Sequence, residues 1–175
     1  MKRSINTWQL VGFGVTSLVG TLLHFVFDWS RQSVIVAPFS AINESIWEHT
    51  KLLFVPLFLF AFIENAYLGK ETSLFWTVKF KGTLLGLILI PTLYYTYTGA
   101  FGITLDAINI AIFFIAAAAT FFYEAHLFKN KSAKTPSPTA ALTALSVIAV
   151  LYFIFTFVQP DLPLFRDPTT GTFGI

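Results

Sequence analysis

Eight residues of this chain carry metal-ion and proton chemistry in stretches that are otherwise apolar. They are His24 and Asp28, then Glu44, Glu48, His49 and Lys51, then Asp106 and Asn109. The chain has no cysteine, so thiol nucleophiles, thiolate metal sites and disulfides are excluded. Histidine and carboxylate together suit Zn²⁺ or another divalent ion bound through nitrogen and oxygen. A catalytic zinc takes three protein ligands and keeps one position open. The pattern points to His24, Asp28 and His49 as metal ligands, with Glu48 and Glu44 as the catalytic carboxylates and Asp106, Asn109 and Lys51 lining the site. No HExxH motif accompanies them.

Each group also has a plain structural use. His24 and Asp28 are one helical turn apart, so the carboxylate can orient the ring, or both can end a packing seam at the membrane interface. Asn43 or Ser40 is the expected N-cap of the next helix, and Glu44 the acid in its first turn. Glu44, Glu48 and Lys51 then share one face, with Glu48 and Lys51 as an ion pair. The same residues also allow other functions. One is a proton, ion or small-molecule pathway, which in so small a chain implies a homo-oligomer. Another is a non-catalytic assembly protein whose polar end binds a membrane partner.

The surroundings decide the class. Of the 175 residues, 55% are hydrophobic and 11% are charged, with mean hydropathy +0.72. Soluble domains carry about 25% charged residues, so this chain has too little charge to cover a water-facing surface. An all-α polytopic membrane bundle in a single domain is expected, surrounded by membrane lipid, and the net charge of +2 gives no reason to invoke nucleic acid. Five apolar stretches approach the ~20 residues needed to cross a bilayer. They cover about 8–27, 52–67 (with the helix starting near 43), 74–95, 103–127 and 139–158. Lys2 and Arg3 precede the first stretch, but no small-residue cleavage motif follows it, so it is read as a span.

Eight of the eleven basic residues (Lys2, Arg3, Lys70, Lys79, Lys81, Lys129, Lys131 and Lys134) fall on one side of this topology. The positive-inside rule then places the N-terminus in the cytoplasm and the C-terminus outside. In this orientation the first, second and fourth helices bring their ionisable groups to one outer layer. Tyr94, Tyr95 and Tyr97 are expected in an aromatic belt at that level. Gly12, Thr16, Gly20 and His24 recur every four residues, a small and polar stripe that faces other helices rather than lipid. Gly82 and Gly86 form a GxxxG packing step. At the other ends of the helices, Glu64 is expected to pair with Lys79 or Lys81. Residues 29–42 are too apolar for a solvated loop, and 159–175, rich in turn formers, are expected to fold as an outer cap.

The stretches HFVFDWS at 24–30, FSAINESIWEHTKLLF at 39–54 and PLFRDPTTGTFGI at 163–175 resemble a family of small multi-pass bacterial membrane proteins known as a domain of unknown function. The resemblance implies a helical domain in a bacterial cytoplasmic membrane. It brings no activity, cofactor or ligand.

Overall fold

The computed structural model of the chain describes residues 2–69, 72–133 and 135–174, with residues 2 and 3 described by their backbone alone. Lys70 and Lys134, two of the basic residues behind the expected orientation, lie outside the described residues. Among the described residues five helices make up the fold: α1 (Lys2–Trp29), α2 (Ile46–Leu68), α3 (Phe75–Phe101), α4 (Asp106–Asn130) and α5 (Pro138–Phe157). All five are long and apolar enough to cross a membrane, the architecture of a multi-pass membrane protein. Exposed Ile35, Phe101 and Phe122 leave an apolar outer surface of the kind lipid covers.

α2 is the central helix. It touches each of the other four, and Leu53, Leu57 and Ala61 along it are fully or almost fully buried. Its position explains why a chain so poor in charge places Glu48, Lys51 and Glu64 on this segment: helical neighbours, not lipid, receive them. α1 presents its stripe as expected. Thr16 has no exposure. A Cβ on Gly20 would lie 2.7 Å from the Leu52 carbonyl oxygen, so only glycine allows the two backbones to come this close. Gly82 and Gly86 of α3 give the same clearance to Glu124 and Thr120 of α4.

Three expectations need correction. α2 begins at Ile46 rather than near residue 43, because Ser45, not Asn43 or Ser40, accepts the Glu48 N–H as N-cap. Glu44 therefore precedes the helix, and Glu48 is the acid of its first turn. Tyr94 and Tyr97 turn inward instead of forming a belt. Tyr94 belongs to the core beside Ile46 and Ile112, and the Tyr97 hydroxyl donates to Asn109 at 2.5 Å. Tyr95 alone of the three is well exposed.

Residues 159–174 fold back as a cap over the end of the bundle where α2 begins. Phe165 is buried with its ring 4.7 Å from Trp47, and the Trp47 N–H donates to the Leu164 carbonyl. A tight turn follows, closed by the Asp167 N–H donating to Thr172 and the Gly171 N–H to Asp167. The segment between α1 and α2 is a run of turns held by Ser40, whose hydroxyl accepts from the Phe27 N–H and donates to the Leu23 carbonyl. Val34, Ile35 and Phe39 remain exposed on it.

Candidate functional site

At one end of the bundle, α1, α2 and the segment before α2 bring together His24, His49 and Glu44. The Glu44 carboxylate lies between the two rings, with Oε1 3.7 Å from His24 Nε2 and Oε2 3.5 Å from His49 Nε2. The two ring centroids are 5.6 Å apart. One ligand atom from each residue falls within 4.8 Å of the other two. Tetrahedral zinc with bonds of ~2.0–2.2 Å separates its ligand atoms by about 3.4 Å, near the 3.7 Å and 3.5 Å by which each imidazole nitrogen stands from its own Glu44 oxygen.

The tautomer of His49 is set by its surroundings. Its Nδ1 lies 2.9 Å from the Ser45 carbonyl oxygen, which can only accept, so Nδ1 carries the proton and donates. In the neutral ring Nε2 then keeps a lone pair directed at Glu44. A histidine ligand whose other nitrogen is held by a backbone carbonyl is the usual arrangement at metal centres. The neighbouring Phe25 ring packs edge-on against His24 at 4.9 Å.

Glu44 is half-exposed and is positioned through its backbone. Its N–H donates to the Asp167 carboxylate, which also accepts from the N–H groups of Thr169 and Thr170. Burial alone would push the Asp167 carboxyl up. These donors, with the Thr170 hydroxyl, outweigh burial and hold it below the ordinary aspartate value. The cap therefore holds the carboxylate arm of the triad from above.

The triad borders a cavity of about 460 Å³. Asp106 and Asn109 from the start of α4 line it too, as do Thr169 of the cap and several apolar side chains. Five of the eight residues singled out in the sequence thus converge on one space: His24, Glu44, His49, Asp106 and Asn109.

Asp28, Glu48 and Lys51 do not join them. Asp28 is exposed, and Glu44 takes the place beside His24 expected of it. Glu48 and Lys51 have no exposed surface and form an ion pair at 2.5 Å. Lys51 Nζ also donates to the Ala37 carbonyl at 2.9 Å and to the Thr156 hydroxyl at 3.2 Å. Glu48 accepts from the Ile42 N–H at 3.2 Å and from the Gln159 amide at 3.3 Å. With both Glu48 oxygens committed, the Glu48–Lys51 pair is placed as a clasp between α2, α5, the cap and the segment carrying Glu44, and Glu48 not as a base facing the cavity.

The site residues that sequence reasoning missed are Ser45, Asp167, Thr169 and Tyr97. A signal existed for the first: Ser45-x-x-Glu48 has the spacing of a capping box. Asp167 was legible only as a turn residue.

No curated protein and no solved structure matches the chain. Residues 1–175 match the model of a family of unknown function (DUF6512), and the chain belongs to that family.

Proposed function

We propose that this membrane protein binds one divalent metal ion, with zinc the best fit, through His24, Glu44 and His49, and that the ion faces a cavity that admits a small substrate. The observation that carries this reading is the three-ligand geometry: two imidazole nitrogens and a carboxylate within 4.8 Å of one another, with the His49 tautomer fixed so that Nε2 faces inward. Three protein ligands leave a fourth position for water or substrate on the cavity side, the arrangement of hydrolytic zinc sites. With Glu44 used as a ligand and Glu48 sealed in its ion pair, Asp106 in the cavity wall is the carboxylate left as general base. The excess of Lys and Arg at the opposite ends of the helices supports an orientation in which the cavity opens away from the cytoplasm.

Protein purified without chelator should contain close to one equivalent of zinc by elemental mass analysis. His24→Ala, His49→Ala and Glu44→Ala should each lose it, and Asp28→Ala should keep it. Folded wild-type protein that takes up no divalent metal, even after zinc is added back, overturns the proposal.

A further inference from the structure

The other end of the bundle holds a second polar cluster that the metal reading leaves unused. Lys79 of α3 lies between two carboxylates, 3.0 Å from Glu64 of α2 and 2.6 Å from Glu124 of α4. Gln9 of α1 donates its amide to the other Glu64 oxygen at 2.5 Å. The Phe121 ring lies 5.0 Å from the ammonium. Glu64, Lys79 and Glu124 have no exposed surface, and Gln9 has almost none. His24 lies fifteen residues beyond Gln9 on α1, so the two clusters are separated by about 22 Å along the helix axis.

The charges do not balance. Two carboxylates face one ammonium, whereas the buried pair at the cavity end matches one carboxylate, Glu48, to one ammonium, Lys51. Among the described residues, the charged groups facing the cluster are Glu64 from α2, Lys79 from α3 and Glu124 from α4. α1 faces it with an uncharged amide, and α5 has no Asp, Glu, Lys, Arg or His in its sequence. An uncompensated charge sealed from water is far more costly than a neutral group, and such sites neutralise instead. The ligand oxygens show where. Glu64 has both oxygens engaged, while Glu124 Oε1 is buried with no partner among the described residues, packed against Gly82. The Gln9 amide oxygen is buried and likewise has no partner among the described residues.

We infer that the Gln9–Glu64–Lys79–Glu124 cluster is a proton-binding site that holds one proton on its carboxylate pair, at Glu124, at the end of the bundle opposite the cavity. The proton is the only ligand the geometry needs, since Lys79 already fills the space between the carboxylates with a cation. Its release changes the cluster from charge-balanced to a net negative charge and its uptake restores the balance, which places an ionic step inside the packed interface of α2, α3 and α4.

Difference infrared spectroscopy of protein in lipid nanodiscs tests this directly through the carbonyl stretch of a protonated carboxylic acid. Wild-type protein at neutral pH should show one such band per chain, shifting in D₂O and disappearing as pH is raised. Glu124→Gln and Glu64→Gln should each abolish it, because the remaining carboxylate then balances Lys79. Asp28→Asn should leave it unchanged. The wild-type measurement stands even if a variant fails to fold. Wild-type protein with no protonated-acid band, or a band that survives both glutamine substitutions in folded protein, overturns the inference.

Discussion

Removing the Glu48 carboxylate should separate two roles that the structure joins in one side chain. In Glu48→Ala the Lys51 ammonium stays fully buried with only the Ala37 carbonyl and the Thr156 hydroxyl for company. Breaking a buried pair by deleting one partner costs about 3–5 kcal/mol, or two to three and a half decades in the folding equilibrium at about 1.4 kcal/mol per decade. Replacing both members, Glu48→Leu with Lys51→Met, removes the stranded charge. Both variants leave the Ile42 N–H and the Gln159 amide without Glu48, and the double one adds only the Ala37 carbonyl left without its donor, an unpartnered neutral group that costs about 1–3 kcal/mol, less than a stranded charge. The double variant should therefore be more stable than the single one. Metal binding should behave differently. Glu48 and Lys51 pin Ile42 and Ala37 on the segment that delivers Glu44, and neither variant keeps the Ile42 bond, the one nearer Glu44. Losing a group that positions a ligand typically lowers metal affinity about 10- to 100-fold. Both variants should show this loss, the double one despite its recovered stability. Unfolding in graded SDS–detergent mixtures and zinc titration of the same preparations give the two readouts. A double variant as unstable as the single one would refute the stranded-charge argument. Unchanged zinc affinity in both would refute the positioning role.

The glycine contacts make a paired prediction. Gly20→Ala sets a methyl against the Leu52 carbonyl oxygen, a backbone atom that cannot step aside, so it should push α1 from α2 and abolish zinc retention at His24 one turn on. Gly14→Ala meets nothing within 4 Å and should stabilise the helix by about 0.5–1 kcal/mol, seen as a raised unfolding midpoint. Gly82→Ala meets the Glu124 side chain and should disturb the proton-binding cluster while leaving zinc content intact. Asp167 supplies the pH dependence. Its carboxyl lies below the ordinary aspartate value in the folded cap, so its contribution is full above that ordinary value and is lost as pH falls through the lowered one. The protection factors of the Thr169 and Thr170 amides, their exchange rates taken relative to the unprotected amide at the same pH, should fall in that acid window and not in the alkaline direction, and Asp167→Ala should show the lowered protection at every pH.

The fold was largely legible in the sequence because the bilayer restricts the choices. Five long apolar stretches in a chain with little charge have one economical arrangement, and the helices follow them with shifted ends. α1 starts at Lys2 rather than near Trp8, since polar residues such as Asn6 and Thr7 continue a helix whose apolar core alone marks the span. The candidate site was legible in its residue types and its level, and less so in its partners. His24 and His49 stood out, and Asp106 and Asn109 were expected at the same end by topology. Asp28 looked like the partner of His24 because i, i+4 spacing is the one contact a helix guarantees. The observed partner, Glu44, comes from a non-helical segment twenty residues away, and a helix start misplaced by a few residues was enough to hide it. The Glu44 N–H bond to Asp167 spans more than a hundred residues of sequence, and no local pattern reports such a contact.

The two buried charge clusters are both built on α2, yet they call for different readings. Glu48 and Lys51 balance each other, and every remaining bond they make goes to a backbone group, the Thr156 hydroxyl or the Gln159 amide. Balance with full satisfaction describes a fastening: nothing is gained there by moving a proton, and any change of charge strands a partner. Glu64, Lys79 and Glu124 share one ammonium between two acids and leave an oxygen of Glu124 without a partner among the described residues. Imbalance with an orphaned acceptor describes a site that must take something up to be neutral. The GxxxG step makes this second cluster possible, since Gly82 leaves room for the Glu124 side chain against the α3 backbone. A packing motif that reads in the sequence as ordinary helix association therefore also forms one wall of an ionisable pocket. Substituting it should change the proton inventory of the membrane domain before it changes the metal site at the other end.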